Sequence, residues 1–258
     1  MKRVLKITFL LLLIVTSFST EARVTDAQVA DYEQAKKAYY DNDYEKALQG
    51  FNALLEQNED SGHLLYNLGN VYFKMGKIGA AKWHYEKARL LIPRNADLKI
   101  NLSLLDSKLI DKIENSFSDY LVATFYFWSS QLTMGELGWV LFIFTIFYWT
   151  WCIQKLWRKK RFWTAETFII LIIFIYLTGG YYLKDSLEAY GHYGIVVNPE
   201  VDVKASYLEK DEPLFQIHQG TKVRLIDQQD FGEGGRWLRI SLPQGQKGWV
   251  LSKDIGLL

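Results

Sequence analysis

Three kinds of hydrophobic pattern follow one another along this 258-residue chain. From residue 28 to 114, apolar side chains recur at three- and four-residue spacing, which predicts amphipathic helices packed through one face. Two later runs, residues 137–153 (LGWVLFIFTIFYWTWCI) and 167–183 (TFIILIIFIYLTGGYYL), carry no charge and have no polar face. Each is close to the length of about 20 residues that crosses a bilayer core. Beyond residue 190 the pattern changes to short alternating stretches broken by turn residues, which predicts strands. The expected architecture is multi-domain: an all-α helical repeat, a two-helix transmembrane hairpin and a C-terminal all-β barrel.

The helical region has an internal period. In a frame of about 34 residues from Gly62, Leu65, Leu68-Gly69, Tyr72, Ala81, Tyr85, Ala88 and Pro93 occupy the positions that mark a tetratricopeptide (TPR) repeat. Gly69 and Ala81 let two antiparallel helices approach, the larger side chains fill the seam, and Pro93 ends the second helix. The preceding copy, residues 28–61, is divergent: Ala47 and Phe51 match Ala81 and Tyr85, but Gln34-Ala35 replaces Leu-Gly and Ala38 replaces Tyr. Residues 96–114, with Ile100, Leu102, Leu104, Leu105, Leu109, Ile110 and Ile113, read as a capping helix. The TPR region as a whole is residues 28–118.

Residues 1–22 have a basic start, a short apolar core from Ile7 to Val15 and small polar residues after it. That is the plan of a signal peptide, or of an N-terminal anchor if it is not cleaved. Trp139, Trp149, Trp151, Trp157 and Trp163 suit an interfacial belt at the ends of the two apolar runs. The connection 154–166 holds Lys155, Arg158, Lys159, Lys160 and Arg161, which predicts a cytoplasmic loop. Both flanking regions then lie outside the cytoplasm. The apolar aromatic stretch 120–128, within the segment 119–134, reads either as an interfacial helix or as a core helix packed on the last repeat.

For the C-terminal module, residues 190–258, the predicted strands are 194–197, 201–205, 214–217, 222–227, 237–241 and 248–251, closed by Ile255. Gly220 is expected in the turn before a strand, and Gly248 is expected to allow close packing beside Trp249. The phrases Leu214–Val223, Trp237–Ile240 and Gly248-Trp-Val250 resemble bacterial SH3 domains. Trp249 is expected in the core, whereas Trp237 is open to two readings, core or binding groove.

The whole order, with Leu68–Gly76 and Pro93-Arg-Asn95 as its most telling phrases, resembles the TPR–SH3 membrane protein of the bacterial aerotolerance (Bat) operon family. The resemblance implies a protein of the bacterial inner membrane with both modules on the periplasmic side. It also implies partners among von Willebrand A-type Bat proteins and a MoxR-type ATPase system, in aerotolerance or envelope stress response.

Charge and chemistry narrow the function. The net charge is +1, without the basic footprint that a nucleic-acid backbone requires. Cys152 is alone, so no internal disulfide forms. His63, His84, His192 and His218 are scattered without ligand spacing, and neither a phosphate loop nor a nucleophile–base arrangement can be argued. No enzyme, cofactor or catalytic residue is therefore expected. Partner-binding positions mapped onto the repeats are Tyr32, Lys36, Tyr39 and Tyr40, then His63, Tyr66, Asn70, Phe73 and Lys74. Their rings, amide and amines suit an extended or helical segment of another protein, although the same tyrosines serve equally well as packing between repeats. The carboxylate-clamp pattern is not reproduced, because Tyr32 stands where it needs Lys. The expected function is a membrane-anchored protein-binding scaffold; the alternative is cell-wall (peptidoglycan) binding or sensing through the SH3-like module.

Overall fold

The computed structural model describes residues 25–57, 61–111, 124, 126–158, 164–188, 193–207, 212–230 and 235–258. The expected signal peptide or anchor, residues 159–163 of the basic connection, most of the stretch 120–128, and residues 189–192 with His192 lie outside these. The chain divides into two compact units, Met1–Gly50 and Phe51–Leu258.

Five helices make up the repeat region: α1 (Asp26–Tyr40), α2 (Tyr44–Gln57), α3 (Gly62–Lys74), α4 (Ile78–Leu91) and α5 (Ala96–Ser107). Local sequence sets their ends. Thr25 and Gln28 form a capping box at the start of α1, while Ser61 and Asn95 accept the N–H groups of Leu64 and Leu98. Asn42 and Gly76, one period apart, both hold left-handed turns, with φ of 62° and 75°. In the first unit the expected glycine at the tight helix contact is Ala35, and the small partner comes from the facing helix: a Cβ on Gly50 would stand 2.7 Å from the Ala35 methyl. In the second unit a Cβ on Gly69 would overlap the ring of Tyr85. Leu65, Ala81, Tyr85, Ala88, Leu98, Leu102 and Leu105 form the core of α3, α4 and α5.

Two long helices follow, α6 (Met134–Trp157) and α7 (Ala165–Glu188). Met134–Trp157 and Ala165–Asp185 are long and apolar enough to cross a membrane, and few of their residues are buried. They pack side by side, with Phe174 stacked on Phe144 and Tyr148 at 6.2 Å in each case. At one end Lys155 reaches across to Thr164, to Thr167 Oγ1 at 3.0 Å and to Glu166 at 3.5 Å. At the other end the described residues 126–131 pack on α7. Trp128 donates to the Tyr176 hydroxyl at 2.9 Å, and Lys184 donates to the Ser129 carbonyl at 3.1 Å. Gly179 and Gly180 leave room on α7 for Tyr126 and Trp128.

Seven strands form the C-terminal sheet: β1 (Tyr193–Val196), β2 (Glu200–Lys204), β3 (Pro213–His218), β4 (Lys222–Asp230), β5 (Arg236–Ser241), β6 (Lys247–Leu251) and β7 (Ile255–Leu257). Their order is β3-β2-β6-β5-β4-β1-β7, all antiparallel, so the sheet is open and not the closed barrel expected. Its core is Val196, Val201, Val203, Ile217, Val223, Leu238, Ile240, Leu242, Val250 and Ile255. Gly220 has φ 84° in the turn before β4, and Gly248 admits Val203 and the Lys204 carbonyl, which brings β2 against β6.

The β7 edge of the sheet meets α4, and the end of β3 meets the segment that follows α5. At β7 the Trp83 indole on α4 donates to the Leu257 carbonyl at 2.7 Å. At β3 the carboxylate of Asp111, beyond α5, accepts the His218 backbone N–H at 2.7 Å. Between them Gly79 N donates to Gln219 Oε1 at 3.2 Å, and Gly220 lies against Leu109.

Candidate functional site

The predicted partner-binding residues fall in both units. In the first, Tyr32, Lys36 and Tyr39 are half-buried on α1 and Tyr40 is exposed. Lys36 pairs with Glu33 at 3.3 Å and lies 6.0 Å from the Tyr32 ring; Tyr39 meets the rings of Tyr40 and Tyr44. The four residues share one helix because their three- and four-residue spacing returns to one face.

In the second unit α3 places Tyr66, Asn70, Phe73 and Lys74 together, with His63 exposed at the helix start. Two of them, Tyr66 and Asn70, join a polar cluster that spans three helices. Asn70 Oδ1 accepts from the Tyr85 hydroxyl at 2.7 Å and from Asn101 Nδ2 at 2.9 Å, and Asn101 Nδ2 also reaches the Tyr66 hydroxyl at 3.2 Å. The Tyr66 and Tyr85 rings lie 6.0 Å apart. Buried amides and phenols require partners, so this set fixes the relation of α3, α4 and α5. Asn70 Oδ1 is thus used internally, whereas its amide nitrogen has no acceptor among the described residues and keeps two donors for a ligand. Phe73 packs at the edge of the core with the Lys108 ammonium 5.1 Å from its ring, and Lys74 is exposed. Sequence reasoning missed Asn101, which lies in the helix read only as a cap.

Behind this surface sits a charged layer facing the sheet. Glu86 on α4 is paired with Arg89 at 2.9 Å and Lys82 at 3.7 Å, and Lys82 also bonds Asp106. Burial alone pushes the Glu86 carboxyl up, but Arg89, Lys222 and Lys82 outweigh it and hold its pKa down at about 2. His84 stacks on Tyr72 at 4.8 Å and shares a hydrogen bond with the Ala80 carbonyl. Burial, the larger influence, brings its pKa down to about 4.

On the sheet, Trp237 and Trp249 are both buried, at 5% and 9% exposure. Lys204 lies 5.8 Å from the Trp237 ring, and Tyr207 meets Trp249 edge-on at 5.5 Å. This arrangement favours the core alternative for Trp237, with little of its ring offered to a ligand. His218, isolated in the sequence, is joined to Asp111 through ring Nδ1 at 3.0 Å, and Thr221 Oγ1 donates to the same carboxylate at 2.7 Å. These contacts pull the Asp111 carboxyl below its ordinary range, although burial by itself raises it. They link residues far apart in sequence, so no local motif signals them.

The arrangement can present aromatic faces, amide donors and lysines to a peptide. Among the described residues no three His, Cys, Asp or Glu side chains are grouped to hold a metal ion. A scan against protein-family models and a search of curated proteins return no match to the chain.

Proposed function

We propose that the chain is a membrane-anchored, non-enzymatic scaffold that binds a segment of another envelope protein on the surface formed by α3 and α5. The observation that carries this reading is the Tyr66–Asn70–Tyr85–Asn101 cluster. It holds Asn70 rigidly while leaving its two amide donors unused beside Phe73, Lys74 and Lys108. A peptide backbone carbonyl complements such donors, and rigid aromatic neighbours supply contact area at low entropic cost.

Two apolar helices joined by a basic connection support an inner-membrane anchor with both modules on the periplasmic side. Trp139 and Trp157, both exposed, stand roughly 27 Å apart along α6 at 1.5 Å per residue, which matches two headgroup levels. The helices carry the TPR pattern, and the sheet carries the phrases of bacterial SH3 domains. By its resemblance to the Bat family the partner class is von Willebrand A-type membrane proteins. The peptidoglycan alternative loses its aromatic platform with the burial of Trp237.

Photoreactive residues at Phe73 or Lys74 of the full chain in its membrane test this reading. The expected result is one discrete cross-linked partner that disappears when Asn70→Leu is added. An identical product from a control position at Lys77 would sink the proposal.

A further inference from the structure

We propose that the outer edge of β3 docks an extended, basic segment of a partner protein, which adds to the sheet as an eighth strand. This surface is separate from the α3–α5 cluster and does not depend on the membrane reading.

Backbone direction along β3 follows from its pairing. Gln219 N donates to the Pro199 carbonyl at 3.1 Å, and Ile217 and Phe215 stand opposite Val201 and Val203. Alternation in an antiparallel ladder then turns residues 219, 217 and 215 toward β2 and residues 218 and 216 away from it, while the register shift between Val203 and Lys204 leaves Leu214 at a bulge. Of the outward N–H groups, that of His218 is taken by Asp111. Gln216 keeps its outward N–H and C=O groups unpaired among the described residues. Pro213, with no N–H, bounds the other end.

The available stretch is therefore short and limited at both ends, which fits a docked strand of about five residues. Proteins normally blunt an exposed edge with charge, proline or a covering element. Here the opposite edge, β7, is covered by α4 through Trp83. The β3 sequence PLFQIH has no Lys, Arg, Asp or Glu, and Leu214 is 56% exposed.

Charge selects the occupant. Exposed Glu200 lies on the neighbouring strand and exposed Glu212 precedes β3, whereas Asp202 accepts from Gln216 Nε2 at 3.0 Å and Asp111 is joined to His218 and Thr221. Of the nearby cations among the described residues, Lys204 reaches Trp237 and His218 is joined to Asp111. An incoming strand with Lys or Arg at alternate positions meets these acids, while its intervening apolar residues face Leu214 and the open side of the core. A second copy of this chain, pairing β3 with β3, brings the same acids on a strand without Lys or Arg.

The test uses the full chain in detergent micelles and synthetic nonapeptides that alternate Val with Lys, Gln or Glu. The Lys peptide is expected to slow hydrogen exchange at the Gln216 amide by about tenfold or more, with the Glu peptide without effect. Gln216→Pro removes an outward donor without touching the ladder to β2 and should abolish the protection. If that variant misfolds, Glu200→Lys with Glu212→Lys should instead weaken the Lys peptide and admit the Glu peptide. Equal protection by both peptides, none by either, or concentration-dependent protection without peptide would each overturn the proposal.

Discussion

Trp83 donates its indole N–H to the Leu257 carbonyl at 2.7 Å, and the same ring fills the space where Gly256 has no Cβ. The last strand of the sheet is thereby held by a helix from the repeat region. Trp83→Phe keeps most of the packing and loses the hydrogen bond, so it should destabilise by about 1 kcal/mol. Gly256→Val should cost more, roughly 1–3 kcal/mol, because the strand cannot retreat without leaving β1. Denaturant unfolding in detergent, followed by tryptophan fluorescence, measures both.

The helices, the two apolar spans and nearly all the strand positions could be read from the chain because each follows a local rule. Gly69, Ala81 and Pro93 mark the helix hairpin, charge-free runs mark the spans, and alternation marks the strands. The joining of the helices to the sheet could not be read this way. It depends on Trp83 with Leu257, Gly79 with Gln219 and Asp111 with His218, pairs with no common motif and large separation. The expected barrel proved open, and the covering of the β7 edge from elsewhere in the chain leaves no mark on the strand itself. Asn70 was legible as a candidate, but its fixing by Asn101 was not.

The overlap between a Cβ at Gly69 and the Tyr85 ring predicts a position intolerant of any side chain. Gly69→Ala should destabilise the helical layer by about 1–3 kcal/mol despite the better helix propensity of alanine. Gly138, in α6, has open space around it, so Gly138→Ala should have almost no effect. Thermal unfolding monitored by far-UV circular dichroism separates the two.

A reporter joined after Leu258 tests the proposed sidedness. An enzyme that works only outside the cytoplasm should be active there, and one that requires the cytoplasm should be silent. Replacing Lys155, Arg158, Lys159, Lys160 and Arg161 with Gln should produce a mixed orientation, since the basic connection then no longer biases the hairpin. Full cytoplasmic activity of the unaltered fusion would overturn the orientation.

Acid should loosen the α4 layer in two stages. The folded-state pKa of His84 is about 4, below its ordinary 6.5, because burial disfavours the imidazolium. The unfolded chain therefore binds a proton that the folded one refuses, and stability present above pH 6.5 is lost as the pH falls toward 4. The full effect is on the order of 3 kcal/mol, from the usual conversion of pKa difference to free energy. Glu86, lowered to about 2 from 4.5 by Arg89, Lys222 and Lys82 against the opposing effect of burial, adds a second loss below pH 4.5. His84→Phe should flatten the first stage and leave the second. Urea midpoints measured between pH 7.5 and 3 provide the check, and an unchanged slope between pH 6.5 and 4 in that variant would show that His84 does not carry the first stage.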